Sequence, residues 1–124
     1  MKAIVFAAGL GTRLYPLTES MPKALVEVGG KPMLLRVLEK LRDAGIHEIV
    51  INVHHFPDMI IDYLRSNDGF GLKIMISDER GHLLDTGGGI LAARNYLDDG
   101  EPFIAHNADI LTDFNLSEMI IRHN

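Results

Sequence analysis

The segment Lys2-Ala3-Ile4-Val5-Phe6-Ala7-Ala8 runs apolar without a break after its first residue and stops at Gly9-Leu10-Gly11. A strand with one wet face alternates polar and apolar residues. A short run with no alternation reads as a strand buried on both faces, as in a parallel sheet covered by helices. Residues 48–53, 72–76 and 102–105 read as further strands, with helical patterns between them. Gly30-Lys31-Pro32 opens a helix in which Leu34, Val37, Leu38 and Leu41 recur on one face, and Gly45 marks its stop. Phe56, Ile60, Tyr63 and Leu64 mark a second helix, ended by the turn residues Asn67-Asp68-Gly69. A third opens at Gly87-Gly88-Gly89 and runs through Ile90, Ala93 and Leu97. Asn115 with Glu118 resembles a capping box for a last helix through Met119, Ile120 and Ile121. Residues 9–30 carry no periodic pattern and read as one long loop.

Strands alternating with helices predict an α/β, Rossmann-like fold, with a mostly parallel sheet and helices on both faces. A chain of 124 residues is the size of one domain, so residues 1–124 are read as a single unit. Ligands of such sheets bind beyond the carboxyl ends of the strands. The loops over residues 9–23, 85–89 and 106–109 each follow a strand, and parallel pairing would bring all three to one rim.

The sequence holds no cysteine, which excludes disulfides and thiolate metal sites. The apolar run from Ala3 to Leu10 is too short to span a bilayer, so no membrane partner is expected and a cytoplasmic location is the default. A net charge of −5 argues against a protein that coats nucleic acid. The charge is uneven, however. Residues 1–42 hold seven Lys/Arg against three acids, a net of +4, which leaves −9 for the rest. A local positive field in an acidic molecule suits a small polyanion. The basic residues of 31–42 read as a solvated helix face, whereas Arg13 and Lys23 sit in loops punctuated by glycine and proline.

Gly9-Leu10-Gly11 lets backbone approach a ligand closely, and amide N–H groups exposed there can bind phosphate oxygens. Two glycines after a strand are equally a tight turn. A dinucleotide site would want a third glycine at position 14, which is Leu14, and an acid after the second strand, where Asn52-Val53-His54-His55 stands. A Walker loop would end Gly-Lys-Ser/Thr, and Gly11-Thr12-Arg13 does not. Both patterns fail. Arg13 offers a rigid fork for bidentate phosphate binding, Lys23 a compact charge, and Pro16 and Pro22 restrict the loop between them. His54, His55 and His106 do not read as a zinc site, because adjacent side chains of an extended segment face opposite ways.

Taken together, Ala7-Ala8-Gly9-Leu10-Gly11-Thr12-Arg13-Leu14-Tyr15-Pro16-Leu17-Thr18 and Pro22-Lys23-Ala24-Leu25 resemble the signature of the sugar-1-phosphate nucleotidylyltransferases, in particular the uridylyl- and guanylyltransferases. Leu84-Asp85-Thr86-Gly87-Gly88-Gly89-Ile90 resembles the loop that lies against the nucleoside in that family, which implies a nucleotide contact at Gly88. His106-Asn107-Ala108-Asp109 falls where the family carries an Asn-Gly-Asp metal motif. That implies Asp109 as a Mg²⁺ ligand and Asn107 as a contact to the sugar phosphate. Ala108 departs from the usual glycine, a departure a negative φ would tolerate.

The resemblance implies attack of a sugar 1-phosphate oxygen on the α-phosphorus of a nucleoside triphosphate, giving a UDP- or GDP-sugar and pyrophosphate. It implies nucleotide contacts at Ala8, Gly9, Gly11, Thr12, Arg13 and Lys23, with Arg13 and Lys23 in catalytic roles. Family members run well beyond this length, and their second half supplies a further metal-binding aspartate and most of the sugar-binding surface. The chain is therefore expected to be the N-terminal, nucleotide-binding part of a longer domain, with an exposed sheet edge through which a homodimer could pair. Two alternatives are a nucleotide-binding or regulatory module without turnover, and a cytidylyl- or molybdenum-cofactor-type nucleotidyltransferase. The latter share the early Gly-x-Gly-x-Arg pattern but generally lack Pro16-Leu17-Thr18.

Overall fold

The computed structural model describes residues 1–8, 16, 19–79, 86–98, 100–108 and 116–123. Four strands form one parallel sheet: β1 (Lys2–Phe6), β4 (Glu48–Val53), β5 (Lys73–Asp78) and β6 (Phe103–Asn107), in the order β5-β4-β1-β6. The apolar first strand is accordingly central, flanked on both sides. Along it, Ala3 and Val5 belong to a core shared with α1 (Met33–Asp43) and α2 (Pro57–Ser66), and Ile120 of α5 (Leu116–His123) packs against the same core. Ile4 faces the other way, into a smaller core with Val50, Ala93 and Leu97, to which Ile90 of α3 (Thr86–Ala92) is added. Helices cover both faces, which is why β1 and β4 contain almost no polar residue.

α1 shows how local sequence sets an element. Leu34, Leu38 and Leu41 are fully buried on one side, each contributing about 1.5–3 kcal/mol of transfer free energy. The helix ends in a Schellman motif: Gly45 takes φ +89°, its N–H donates to Arg42 O at 2.9 Å, and Ile46 N–H donates to Leu41 O at 3.0 Å. Gly45 is thus the stop the sequence marks.

Several boundaries differ from the sequence reading. Within the segment read as one long loop, Lys23–Leu25 forms a 3₁₀ turn and β2 (Glu27–Val28) pairs antiparallel with β3 (Lys31–Pro32). The hairpin turns on Gly29 and Gly30, both at positive φ, as a type I′ connection requires, so the helix begins at Met33 rather than at Gly30. Arg36 Nε and Nη2 clasp it by donating to Val28 O at 2.8 and 2.5 Å. β5 and β6 both run two residues past their apolar stretch, because ladder pairing (Asn52 with Ser77, Phe6 with Asn107) does not depend on side-chain polarity. Conversely β1 stops at Phe6, where a side chain takes the Ala7 amide. The third helix breaks at Ala93 into α3 and α4 (Arg94–Leu97). No helix among the described residues is long and apolar enough to cross a membrane.

Candidate functional site

Because the strands are parallel, their carboxyl ends, Phe6, Val53, Asp78 and Asn107, lie along one rim of the sheet. One register row at this rim brings three polar side chains beside Phe6. Asn107 pairs with Phe6, Phe6 with Asn52, and Asn52 with Ser77, so all four side chains rise on the same face. Phe6 packs against the α3/α4 core, which identifies that face as the one carrying α3. The glycine-rich start of α3 descends onto this row. A Cβ on Gly89 would lie 3.1 Å from Asn52 Nδ2, 3.5 Å from Glu79 Oε2 and 3.6 Å from Phe6 Cε1. Glycine here is a requirement of close approach, since the first of these distances is tighter than ordinary side-chain packing.

Of the expected site residues that are described, Ala8, Gly88 and Asn107 fall on or beside this rim. Ala8, two residues past β1, is buried. Gly88 is half-buried in α3, and Asn107 closes β6 with its side chain exposed. Ala108 N–H donates to Phe6 O at 3.0 Å and the Ala108 methyl is buried in the α1-side core, so the residue replacing the motif's glycine is accommodated by packing. Lys23 is held by the 3₁₀ turn: Leu25 N–H donates to Pro22 O, Val26 N–H to Lys23 O, and Ala24 and Leu25 are core residues. Gly9, Gly11, Thr12, Arg13 and Asp109 lie outside the described residues.

The structure also sorts the basic front of the chain. Lys31 pairs with Glu39 at 3.1 Å, Arg42 lies 3.9 Å from Glu39, and Arg36 holds the hairpin, so these form a local network on the outer side of α1. Lys2, at the opposite end of the sheet from the rim, donates to Tyr96 O at 2.8 Å. The histidines are separately engaged. His54 lies past the end of β4 with Nδ1 2.6 Å from Glu79 O, His55 stacks edge-on against Phe56, and His106 Nδ1 is 2.7 Å from Asn107 O. No group of three or more His, Asp or Glu among the described residues could hold a metal ion.

Sequence reasoning passed over Asn52, Ser77 and Glu79, all buried at the rim. Asn52 had entered only as the absence of an acid, although an amide in the run Ile49-Val50-Ile51-Asn52-Val53 is itself a signal. A polar residue in a doubly covered strand has to be satisfied by something specific.

A parallel sheet with helices on both faces, one of them packed through Gly89 onto the carboxyl rim, defines the doubly wound α/β class. The chain belongs to the nucleotidyl transferase family, whose model matches residues 2–124. The N-acetylmuramate alpha-1-phosphate uridylyltransferase of Caulobacter vibrioides is 48% identical over 106 residues, 84% of this chain and 44% of that protein. A probable mannose-1-phosphate guanylyltransferase of Oryza sativa is 38% identical over 126 residues, 99% of this chain and 35% of its own length. The crystal structure of HddC from Yersinia pseudotuberculosis complexed with GMP-PN is 31% identical with a TM-score of 0.85, covering 98% of this chain and 53% of that one. A putative glucose-1-phosphate thymidylyltransferase from Bacillus anthracis shares the fold at 22% identity and a TM-score of 0.86. The fold is that of the nucleotide-diphospho-sugar transferases, and the chain spans about a third to a half of the length of these proteins.

Proposed function

We propose that this chain carries the nucleotide half of a sugar-1-phosphate nucleotidyltransferase site, forming a UDP- or GDP-sugar from a nucleoside triphosphate and a sugar 1-phosphate. The observation that carries the reading is the meeting of the β1 exit at Ala7-Ala8, the Gly88–Gly89 floor of α3 and the β6 end at Asn107 on one rim of the sheet. The uridylyltransferase and guanylyltransferase relatives support the choice of reaction.

In this reading the glycine-rich segment and Arg13 bind the β- and γ-phosphates and the leaving pyrophosphate. Lys23 neutralises charge at the α-phosphate while the sugar-phosphate oxygen forms its bond to phosphorus and the bond to pyrophosphate breaks. Such a transfer needs positioning and charge neutralisation and no covalent nucleophile. Gly88 leaves room for the nucleoside, and Asn107 orients the sugar phosphate. The carboxylate of Asp109, two residues after β6 in sequence, is a hard oxygen donor of the kind Mg²⁺ prefers. Asp109 would hold the ion, which when bound supplies further neutralisation of phosphate charge.

A cytoplasmic setting and the absence of membrane and nucleic-acid partners accompany the proposal. So does a homodimer paired along β6, an edge strand of the described sheet. Binding without turnover is the second reading for these 124 residues, favoured by their covering only 44% of the uridylyltransferase relative.

A thermal-shift panel of UTP, GTP, CTP, ATP and dTTP with Mg²⁺ tests the proposal. A ligand at a hundred times its Kd stabilises by about 2.7 kcal/mol. The expected result is a clear rise in Tm with UTP or GTP and little with the others. No response to any triphosphate would remove the nucleotide site. Pyrophosphate release on adding mannose 1-phosphate or N-acetylmuramate 1-phosphate separates turnover from binding alone.

A further inference from the structure

Asn52 is the polar side chain most deeply placed at the rim, 3% exposed and flanked along β4 by Ile51 and Val53, which are fully buried. An amide in such surroundings is costly unless its oxygen and nitrogen find partners. Its Oδ1 accepts the N–H of Ala7 at 2.6 Å. Ala7 is the residue at which β1 ends, directly after Phe6, the register partner of Asn52. A side chain therefore takes over from the backbone ladder where the chain leaves the sheet for the glycine-rich segment. On its other side, Asn52 Nδ2 stands 3.1 Å from the point a Cβ on Gly89 would occupy. One amide thus bonds the strand exit that leads into the glycine-rich segment and lies directly beneath Gly89 of α3.

We propose that Asn52 is a positioning residue of the nucleotide site, setting the spacing between the Ala7-Ala8 exit and the Gly88–Gly89 floor. The inference rests on the nucleotide-site reading above. Asn52 needs no contact with substrate to act. It fixes the direction of the Ala7 amide, and the missing side chain at Gly89 lets α3 close onto it. Leucine at position 52 has nearly the same volume but no acceptor, so it would leave the Ala7 N–H buried with nothing to bond. A methyl at position 89 would push the Asn52 amide by a few tenths of an ångström while leaving the hydrogen-bonding groups in place.

The test uses the 124-residue chain, with UTP and GTP plus Mg²⁺ as probes in titration calorimetry and amide exchange followed by NMR. Asn52→Leu should weaken the Kd of the better triphosphate at least about tenfold and speed exchange of the Ala7 amide, with the Ile4 and Val50 amides still protected. Asn52→Asp restores an oxygen acceptor and should restore Ala7 protection. Gly89→Ala should weaken the same Kd about three- to tenfold with Ala7 protection retained, and it decides the matter if Asn52→Leu does not fold. A purely structural role would lower Tm but leave the Kd of the folded chain alone. Unchanged affinity in a folded Asn52→Leu, or in Gly89→Ala where the leucine variant is lost, overturns the inference. If the unsubstituted chain binds neither triphosphate, the nucleotide-site reading fails and this inference goes with it, an outcome visible before any variant is made.

Discussion

Lys23 begins a 3₁₀ turn whose next two residues are core, so its backbone is fixed by Ala24 and Leu25 while its ammonium is only half-buried. The hydrogen bonds of the turn are backbone ones, so removing the side chain leaves them in place and tests its chemistry. Loss of one preorganised electrostatic contact in a transferase typically costs on the order of 10²–10³ in rate. Lys23→Ala, made in the full-length enzyme, should lower kcat by about that factor with Tm nearly unchanged; undiminished turnover would remove Lys23 from the mechanism. Lys23 was legible in the sequence as a candidate, a cation between Pro22 and Ala24 in the segment that carries the family resemblance. Asn52 was not. Its meaning depends on register, on Ala7 lying beside it across β1 and on Gly89 lying above it, and neither neighbour is near it in sequence.

At the scale of elements, periodicity located strands and helices well wherever burial dictates the pattern. β4 and the stop of α1 coincide with the sequence reading, since the former is covered on both faces and the latter is fixed by a glycine at positive φ. The Glu27–Val28 and Lys31–Pro32 hairpin escaped notice because its strands are two residues long, mostly exposed and held by Arg36 rather than by an apolar face. Edge character is another property of elements that only the assembled sheet reveals. β5 carries Lys73 and Asp78 at its two ends, charges that discourage pairing with another chain, whereas β6 (Phe-Ile-Ala-His-Asn) carries no Lys, Arg, Asp or Glu. β6 opens with Phe103, 37% exposed, and Leu91, 71% exposed, lines the same surface hollow. The proposed homodimer is thus assigned to β6 rather than to β5. Sedimentation velocity should show a concentration-dependent dimer that Ala105→Lys, on an exposed position of this edge, shifts to monomer. A sharp monomer at all concentrations would sink the dimer without touching the nucleotide site.

For the molecule as a whole, two electrostatic effects compete, and the sign of a salt effect decides between them. The chain carries −5 in all, so a triphosphate approaching it from a distance is repelled, and added salt would ease that repulsion. Residues 1–42, with a net of +4, act the other way at short range. Part of that excess is offset by acids beyond residue 42, since Lys2 lies 3.8 Å from Glu48 at the far end of the sheet and Arg42 lies 3.9 Å from Asp43. What the nucleotide reading requires is that Arg13 and Lys23 dominate within a few ångströms of the phosphates. Raising KCl from about 0.1 M to about 1 M shortens the screening length from about 10 Å to about 3 Å. Contact charges on a partly exposed rim are weakened by this change, so the Kd for the preferred triphosphate should rise about five- to tenfold, and Lys23→Ala should flatten the slope. Tighter binding at high salt would mean that the acidic remainder of the molecule governs the encounter, and Arg13 and Lys23 would lose their assigned role.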